Sequence, residues 1–346
     1  MSKSEIRVAF ETITPLWTGD AWRDNTEIRP SSLIGSLRFW FEVICYFGGI
    51  CKKEEFNNEK GRFEKDIKND EIRKKLLTSG TDFNGQVQAL KELGVPIPAI
   101  VFGTTGWRSL IEINEIKLIE DFYFGNRLKI PHKFCFNKNN KDEVKEENDC
   151  PKRSDNNFSV FYFKIPYFWG KIEVVFRVHN EIKDSIFLPL LTFMDKYGYW
   201  GGGWNIGYGR LKVLSVNSQN GNWEEKDKFD FSKFGINKTL TITESYEKIP
   251  DKNLLKEKVF KIRYWRKNCE SINTNIKEML KDLILEKANL RIRENNRKDR
   301  HYVFGKTGNI QNEDLPQGSK ILPYINKINS SYECGLLSIV GILSLY

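Results

Sequence analysis

The stretch WGGGWNIGYGRL, residues 200–211, limits what this chain can fold into more than any other segment. Five glycines stand there among two tryptophans, a tyrosine and an arginine. Glycine has the most backbone freedom to lose on ordering, so a run of it is costly unless something must approach the backbone closely. The run follows IKDSIFLPLLTFMDKYGYW, which reads as an amphipathic helix over 182–197, and precedes GRLKVLSV, which reads as a strand. The loop is therefore fixed between a helix and a strand, where the order of the surrounding elements would lay it over a sheet face at one sheet edge, and its missing side chains leave room for a ligand backbone.

The elements around it fall into an order. EIRVAFETIT alternates charged and apolar residues, which predicts a strand over 5–13, stopped by Pro15. SSLIGSLRFWFEVICYF opens with serine at a cap position and is apolar on most sides, a buried helix over 32–47. Residues 48–95 are charged and read as a helical insertion, and GVPIPAIVFGTTGW as an extended segment. A strand is expected near 109–119 and two more near 158–165 and 171–178. Between them residues 137–149 hold one apolar residue in thirteen, the composition of a loose surface loop. Strand, helix, strands, helix, strand is the βαββαβ order of an α+β, ferredoxin-like (RRM-like) domain, here 1–217. From 218 the pattern resets, giving a second, smaller and less regular domain over 218–346. IVFGTTG at 100–106 echoes YVFGKTG at 302–308, a hint of duplication.

Charge narrows the partner. The chain has 55 Lys and Arg against 46 Asp and Glu, a net charge of +9. Between Lys256 and Arg300 there are fourteen basic residues against seven acidic ones, and FKIRYWRK interleaves cations with rings. Such a surface pairs phosphates with cations and stacks bases on rings, although a solvated helix face has the same composition. None of the six cysteines forms a CxxC pair, so reduced cytoplasmic thiols are expected. MSKSEIRVAF is not a targeting peptide, and the longest apolar run, CGLLSIVGILSLY, is too short to span a bilayer. No Walker loop, zinc spacing or serine elbow is present, so no metal or cofactor is expected.

TPLWTGD followed by EIRPSSLIGSLRFWFE resembles the N-terminal signature of the RAMP superfamily of CRISPR-associated proteins, most closely the first-numbered subunits of the type III-B (Cmr) effector complex. GGGWNIGYGRLKV is similar to the glycine-rich loop that defines the superfamily, and RHYVFG to a motif of its second domain. The resemblance implies two ferredoxin-like domains and a non-catalytic, cytoplasmic subunit for antiviral defence. It would contact CRISPR RNA and single-stranded target RNA at one end of a filament of other RAMP subunits. RAMP loops often carry several cations, whereas Arg210 is the only one here, which leaves stacking and backbone N–H groups as the main contributions.

The RNA-contacting candidates are Arg29, Ser32 and Arg38 at the first helix, and Gly201, Gly202, Gly203, Trp204, Asn205, Gly207, Tyr208, Gly209 and Arg210 in the loop. Arg300, His301 and Lys306 complete the set in the second domain. Each has a structural alternative: Arg38 stands four residues before Glu42, the spacing of a helical ion pair. Trp17 and Trp22 can stack on bases or plug an interface. Asp20 and Asp24 have no histidine or second ligand cluster nearby, so no catalytic role is assigned. Of His132, His179 and His301 only the last lies in a family-like motif. The rival readings are a RAMP endoribonuclease that trims CRISPR RNA through His301, or Tyr302 with Lys306, and a purely structural filament cap.

Overall fold

The computed structural model describes residues 2–19, 24–140, 143–151, 157–217, 219–220, 223–241, 265–268, 275–305, 318–328 and 331–338. Alternation along the first strand β1 (Lys3–Thr12) sends Ile6, Val8 and Phe10 inward and Glu5 and Arg7 outward. It is flanked by β6 (Lys171–His179) on one side and β7 (Leu211–Val216) on the other. Beyond β6 lies β2 (Ile111–Leu118), and beyond β7 the short β8 (Gln219–Asn220). All neighbours are antiparallel, giving the order β8–β7–β1–β6–β2.

Two helices cover the inner face. Helix α1 (Pro30–Phe47) begins with proline in its first turn, where the missing N–H costs nothing. It buries Leu33, Leu37, Trp40, Phe41 and Ile44 against the sheet. Helix α5 (Leu188–Lys196) adds Leu190, Leu191, Phe193 and Met194. Each fully buried large apolar side chain contributes roughly 1.5–3 kcal/mol. Trp40 also satisfies its indole N–H, which donates to the carbonyl of Tyr199 at 3.1 Å.

The outer face of the sheet is different. Register places Glu5, Arg7, Ala9 and Glu11 of β1 beside Arg177, Val175, Glu173 and Lys171 of β6, with Lys117, Glu115 and Glu112 of β2 next in the rows. The charges answer one another: Arg7 with Glu173 at 3.6 Å, Lys117 with Glu115 at 3.2 Å and with Glu173 at 3.9 Å. None of these positions is aromatic, so the stacking platform expected of an RRM-like sheet is missing here. The glycine-rich loop does not lie over this face, contrary to the expectation from the element order.

The second half contains β9 (Trp265–Asn268), α6 (Ile276–Arg293), α7 (Arg297–Phe304), β10 (Ile321–Ile328) and β11 (Ser331–Ser338), with the antiparallel order β9–β11–β10. Among the described residues this follows the order of part of the first half. There β1 is followed by α1, then α4 (Ile97–Phe102), then β2 and β6, and the order β1–β6–β2 matches strand for strand. The echo between IVFG and YVFG lies at equivalent places. Each short helix ends at a Phe–Gly step, with Gly103 at φ +85° and Gly305 at φ +75°. The residues before each Phe–Gly step are thus helical, where an extended segment was expected for the first; Pro98 in its opening turn was the overlooked helix signal.

The insertion is helical in part, with α2 (Asn69–Ser79) and α3 (Phe83–Glu92) preceded by a small hairpin pairing Phe56–Asn57 with Arg62–Phe63. The polar stretch 137–149 is not wholly loose. Its β4 (Val144–Glu146) pairs with β3 (Lys133–Asn137), which also pairs with β5 (Phe158–Tyr162). A disulfide joins Cys135 to Cys150, so the expectation of six reduced thiols is corrected; Cys45 and Cys51 are free and buried. Among the described residues no helix is long and apolar enough to cross a membrane.

Candidate nucleic-acid interface

The first loop, the start of α1 and the glycine run converge on one open cleft of about 270 Å³. It is lined by Trp17, Thr18, Gly19, Ser32, Gly35, Ser36, Gly201, Gly202 and Trp204. Backbone bonds hold it together: the N–H of Gly202 donates to the carbonyl of Trp17 at 2.7 Å, and the N–H of Gly201 to Ser36 Oγ at 2.9 Å. The glycines are needed for this closeness. A Cβ on Gly201, at φ +67°, would collide with the carbonyl of Trp17, and one on Gly202 would come within 3.0 Å of the Trp17 ring. A Cβ on Gly207 would meet Leu280 and Pro323 of the second half. Most of the glycine content is thus explained by packing within the chain.

Trp204 and Trp17 wall the cleft. Trp204 stacks on buried Trp40 at 5.7 Å and 29°, and lies 5.0 Å from Phe39, itself 39% exposed. Trp17 carries the ammonium of Lys164 4.3 Å above its ring, a cation–π contact at the edge of the site. Trp17 also packs against the apolar cluster shared with the second half, so it serves as wall and plug together. Ser32 Oγ donates weakly to the carbonyl of Thr18 at 3.4 Å. Gly35, in the middle of an 18-residue helix, is exposed, and nothing lies within 4 Å of where its Cβ would stand.

Of the residues singled out in the sequence, Trp17, Ser32, Gly201, Gly202 and Trp204 meet in this cleft. Gly203, at φ +84°, turns the chain against Tyr208, and Asn205 is exposed. The carbonyl of Asn205 accepts from Lys287 Nζ at 3.1 Å, and burial, with Arg291 nearby, pulls the Lys287 ammonium down to about 7. Gly35, Ser36 and Thr18 escaped the sequence reading. The signal for Gly35 was present, since a glycine inside a helix costs about 1 kcal/mol against alanine and calls for a reason.

The other candidates lie elsewhere, and several must be corrected. Arg210 is fully buried. Its guanidinium donates to the carbonyls of Asp195 at 2.9 Å, Lys196 at 3.0 Å, Met194 and Ile325 at 3.3 Å each, and also to Gly198. It stacks between Tyr199 and Tyr324, at 5.5 and 4.9 Å. The residue caps the carbonyl end of α5 and fastens the second half to it, which leaves no surface for a phosphate. Tyr208, Gly207 and Gly209 are buried with it, and burial pushes the Tyr208 phenol far up. Arg38 is committed to Glu42 at 2.8 Å, Glu64 at 3.1 Å and the carbonyl of Gly103 at 3.0 Å, the helical pair of the structural alternative. Arg29 occupies the N-cap position and turns to Glu27 at 3.6 Å. Arg300 reaches the carbonyl of Glu294 at 3.5 Å, and His301 is buried on α7. Lys306, Asp20 and Trp22 lie outside the described residues.

His179 is also structural. Its ring stacks on Phe83 at 4.9 Å, and Nδ1 accepts from the N–H of Glu181. None of the three histidines lines the cleft.

An antiparallel sheet in βαββαβ order, with a glycine-rich loop between its second helix and last strand locked to the first loop and first helix, defines a mixed α/β class of protein by fold and site together. The profile of the RAMP superfamily matches residues 9–212, and the chain belongs to that superfamily. No curated protein matches it. Among solved structures it is similar to Cmr1 from Pyrococcus furiosus in its apo form, at 14% identity and a TM-score of 0.42, over 96% of this chain and 87% of that one. It is also similar to a chain of the type III-B Cmr-beta assembly bound to cognate target RNA, at 11% identity and a TM-score of 0.41, over 99% of each chain. The family assignment rests on the superfamily match and not on these two scores.

Proposed function

We propose that this chain is a non-catalytic RNA-binding subunit of a type III-B (Cmr) RNA-guided effector, acting in the cytoplasm in antiviral defence. It contacts single-stranded RNA, guide or target, and sits among other RAMP subunits. The observation that carries the reading is the tryptophan-walled cleft between the start of α1 and the glycine run. Single strands are bound by rings on which bases stack and by nearby cations, and Trp204, Phe39 and Lys164 supply these groups at one place. The division into two ferredoxin-like domains, 1–217 and 218–346, belongs to the same proposal. The repeated strand order and the paired Phe–Gly helix ends support it.

The test is fluorescence anisotropy with a labelled single-stranded RNA at several salt concentrations. Trp204→Ala is expected to weaken binding about tenfold, the worth of one base–ring stack. Unchanged affinity in a folded Trp204→Ala variant would remove the cleft from the interface. Incubation of the same RNA without metal addresses the endoribonuclease alternative: discrete products lost in His301→Ala would favour it.

A further inference from the structure

We infer that the cleft captures one unstacked nucleobase, so that part of the recognition is of the base and not of the backbone. This rests on the RNA-binding reading above and sharpens it. Three features point to a base. The first is size: about 270 Å³ falls just short of the roughly 300 Å³ at which sites for drug-sized ligands begin, room for one planar heterocycle. The second is the wall: Trp204 rests on Trp40 on one side and borders the cleft, and Trp17 borders it as well. The third is Gly35. The glycines of the 201–209 run are explained by collisions their side chains would cause or, at Gly203, by a φ of +84°, but Gly35 faces open space inside a long helix. No packing demand accounts for it. Its place in the cleft lining does, because any larger side chain there projects into the volume a base would fill.

The polar groups agree with this. Ser32 Oγ, held only at 3.4 Å, is at hand for a base edge, while Lys164 above Trp17 is placed for the phosphate of the same nucleotide. Arg38 and Arg210, which would have made the site a phosphate groove, are both committed elsewhere.

The experiment compares an ordinary single-stranded RNA with an abasic ribose-phosphate strand of equal length, against the full chain and its Gly35→Leu variant. Far-UV circular dichroism and a urea midpoint no lower than the parent's establish that the variant is folded. The expected result is that the parent binds the ordinary strand about tenfold more tightly than the abasic one, and that Gly35→Leu binds both as the parent binds the abasic strand. Equal binding of the two strands by the parent would overturn base capture and leave the RNA-binding reading standing. A folded Gly35→Leu that still prefers the ordinary strand would place base recognition elsewhere and overturn it too. Failure of the parent to bind either strand would overturn the RNA-binding reading itself.

Discussion

At the scale of single residues, the clearest lesson is where the arginines go. Arg210 is a buried cation with backbone carbonyls as its hydrogen-bond acceptors, and its planar fork suits the open end of a helix in a way an ammonium cannot. Arg210→Ala strands those carbonyls without donors and is expected to cost at least about 3 kcal/mol in urea unfolding, with Arg210→Lys recovering little of it. Nothing in the sequence betrays this role, because carbonyls belong to every residue. Arg38 differs, since the spacing to Glu42 is written in the sequence while Glu64 and Gly103 come from distant segments. Burial raises the Glu42 carboxyl above its ordinary value, and Arg38 opposes the rise. A carboxyl raised by folding binds its proton more tightly in the native state. Stability therefore falls as pH climbs from the ordinary carboxylate value through the raised one. Arg38→Met should widen that window: about 3 kcal/mol lost at neutral pH, and clearly less near pH ~4.5, by urea midpoints at the two values.

At the scale of elements, periodicity made β1, α1, β2, β6 and β7 legible, because each buries one face and keeps its pattern over many residues. Two elements escaped for opposite reasons. IPAIVF is buried on every side, so it shows no period, and only its prolines speak for a helix. The 137–149 stretch is too polar to look ordered, and what orders it is non-local: pairing with β3 and the bond from Cys135 to Cys150. Reduction of that disulfide should lower stability by about 3 kcal/mol, as expected for a closed loop of this length, measured by unfolding with and without reductant. The cleft itself was half legible. The glycine run and Ser32 were visible, but the partner surface on α1 depended on a helix face that only the packing fixes. Gly35→Ala offers a clean measure there: the added methyl meets open space, and the urea midpoint should report a gain of about 0.5–1 kcal/mol.

At the scale of the whole molecule, the two halves share bonds that neither can make alone. Tyr199 donates its hydroxyl to the carbonyl of Pro323 at 2.9 Å, Tyr324 returns one to Lys196 at 2.9 Å, and Lys327 meets Glu11 at 2.8 Å. With Arg210 between them, the chain is expected to unfold in one cooperative step, tryptophan fluorescence and circular dichroism tracing the same curve. Arg210→Ala should pull the two curves apart. The paired charges on the outer face of the sheet have a bearing of another kind. A wall whose plus and minus signs cancel row by row casts almost no long-range potential, so a polyanion drifting past feels no tug from that flank. The molecule thereby acquires one flank that neither draws in nor turns away a charged partner from a distance.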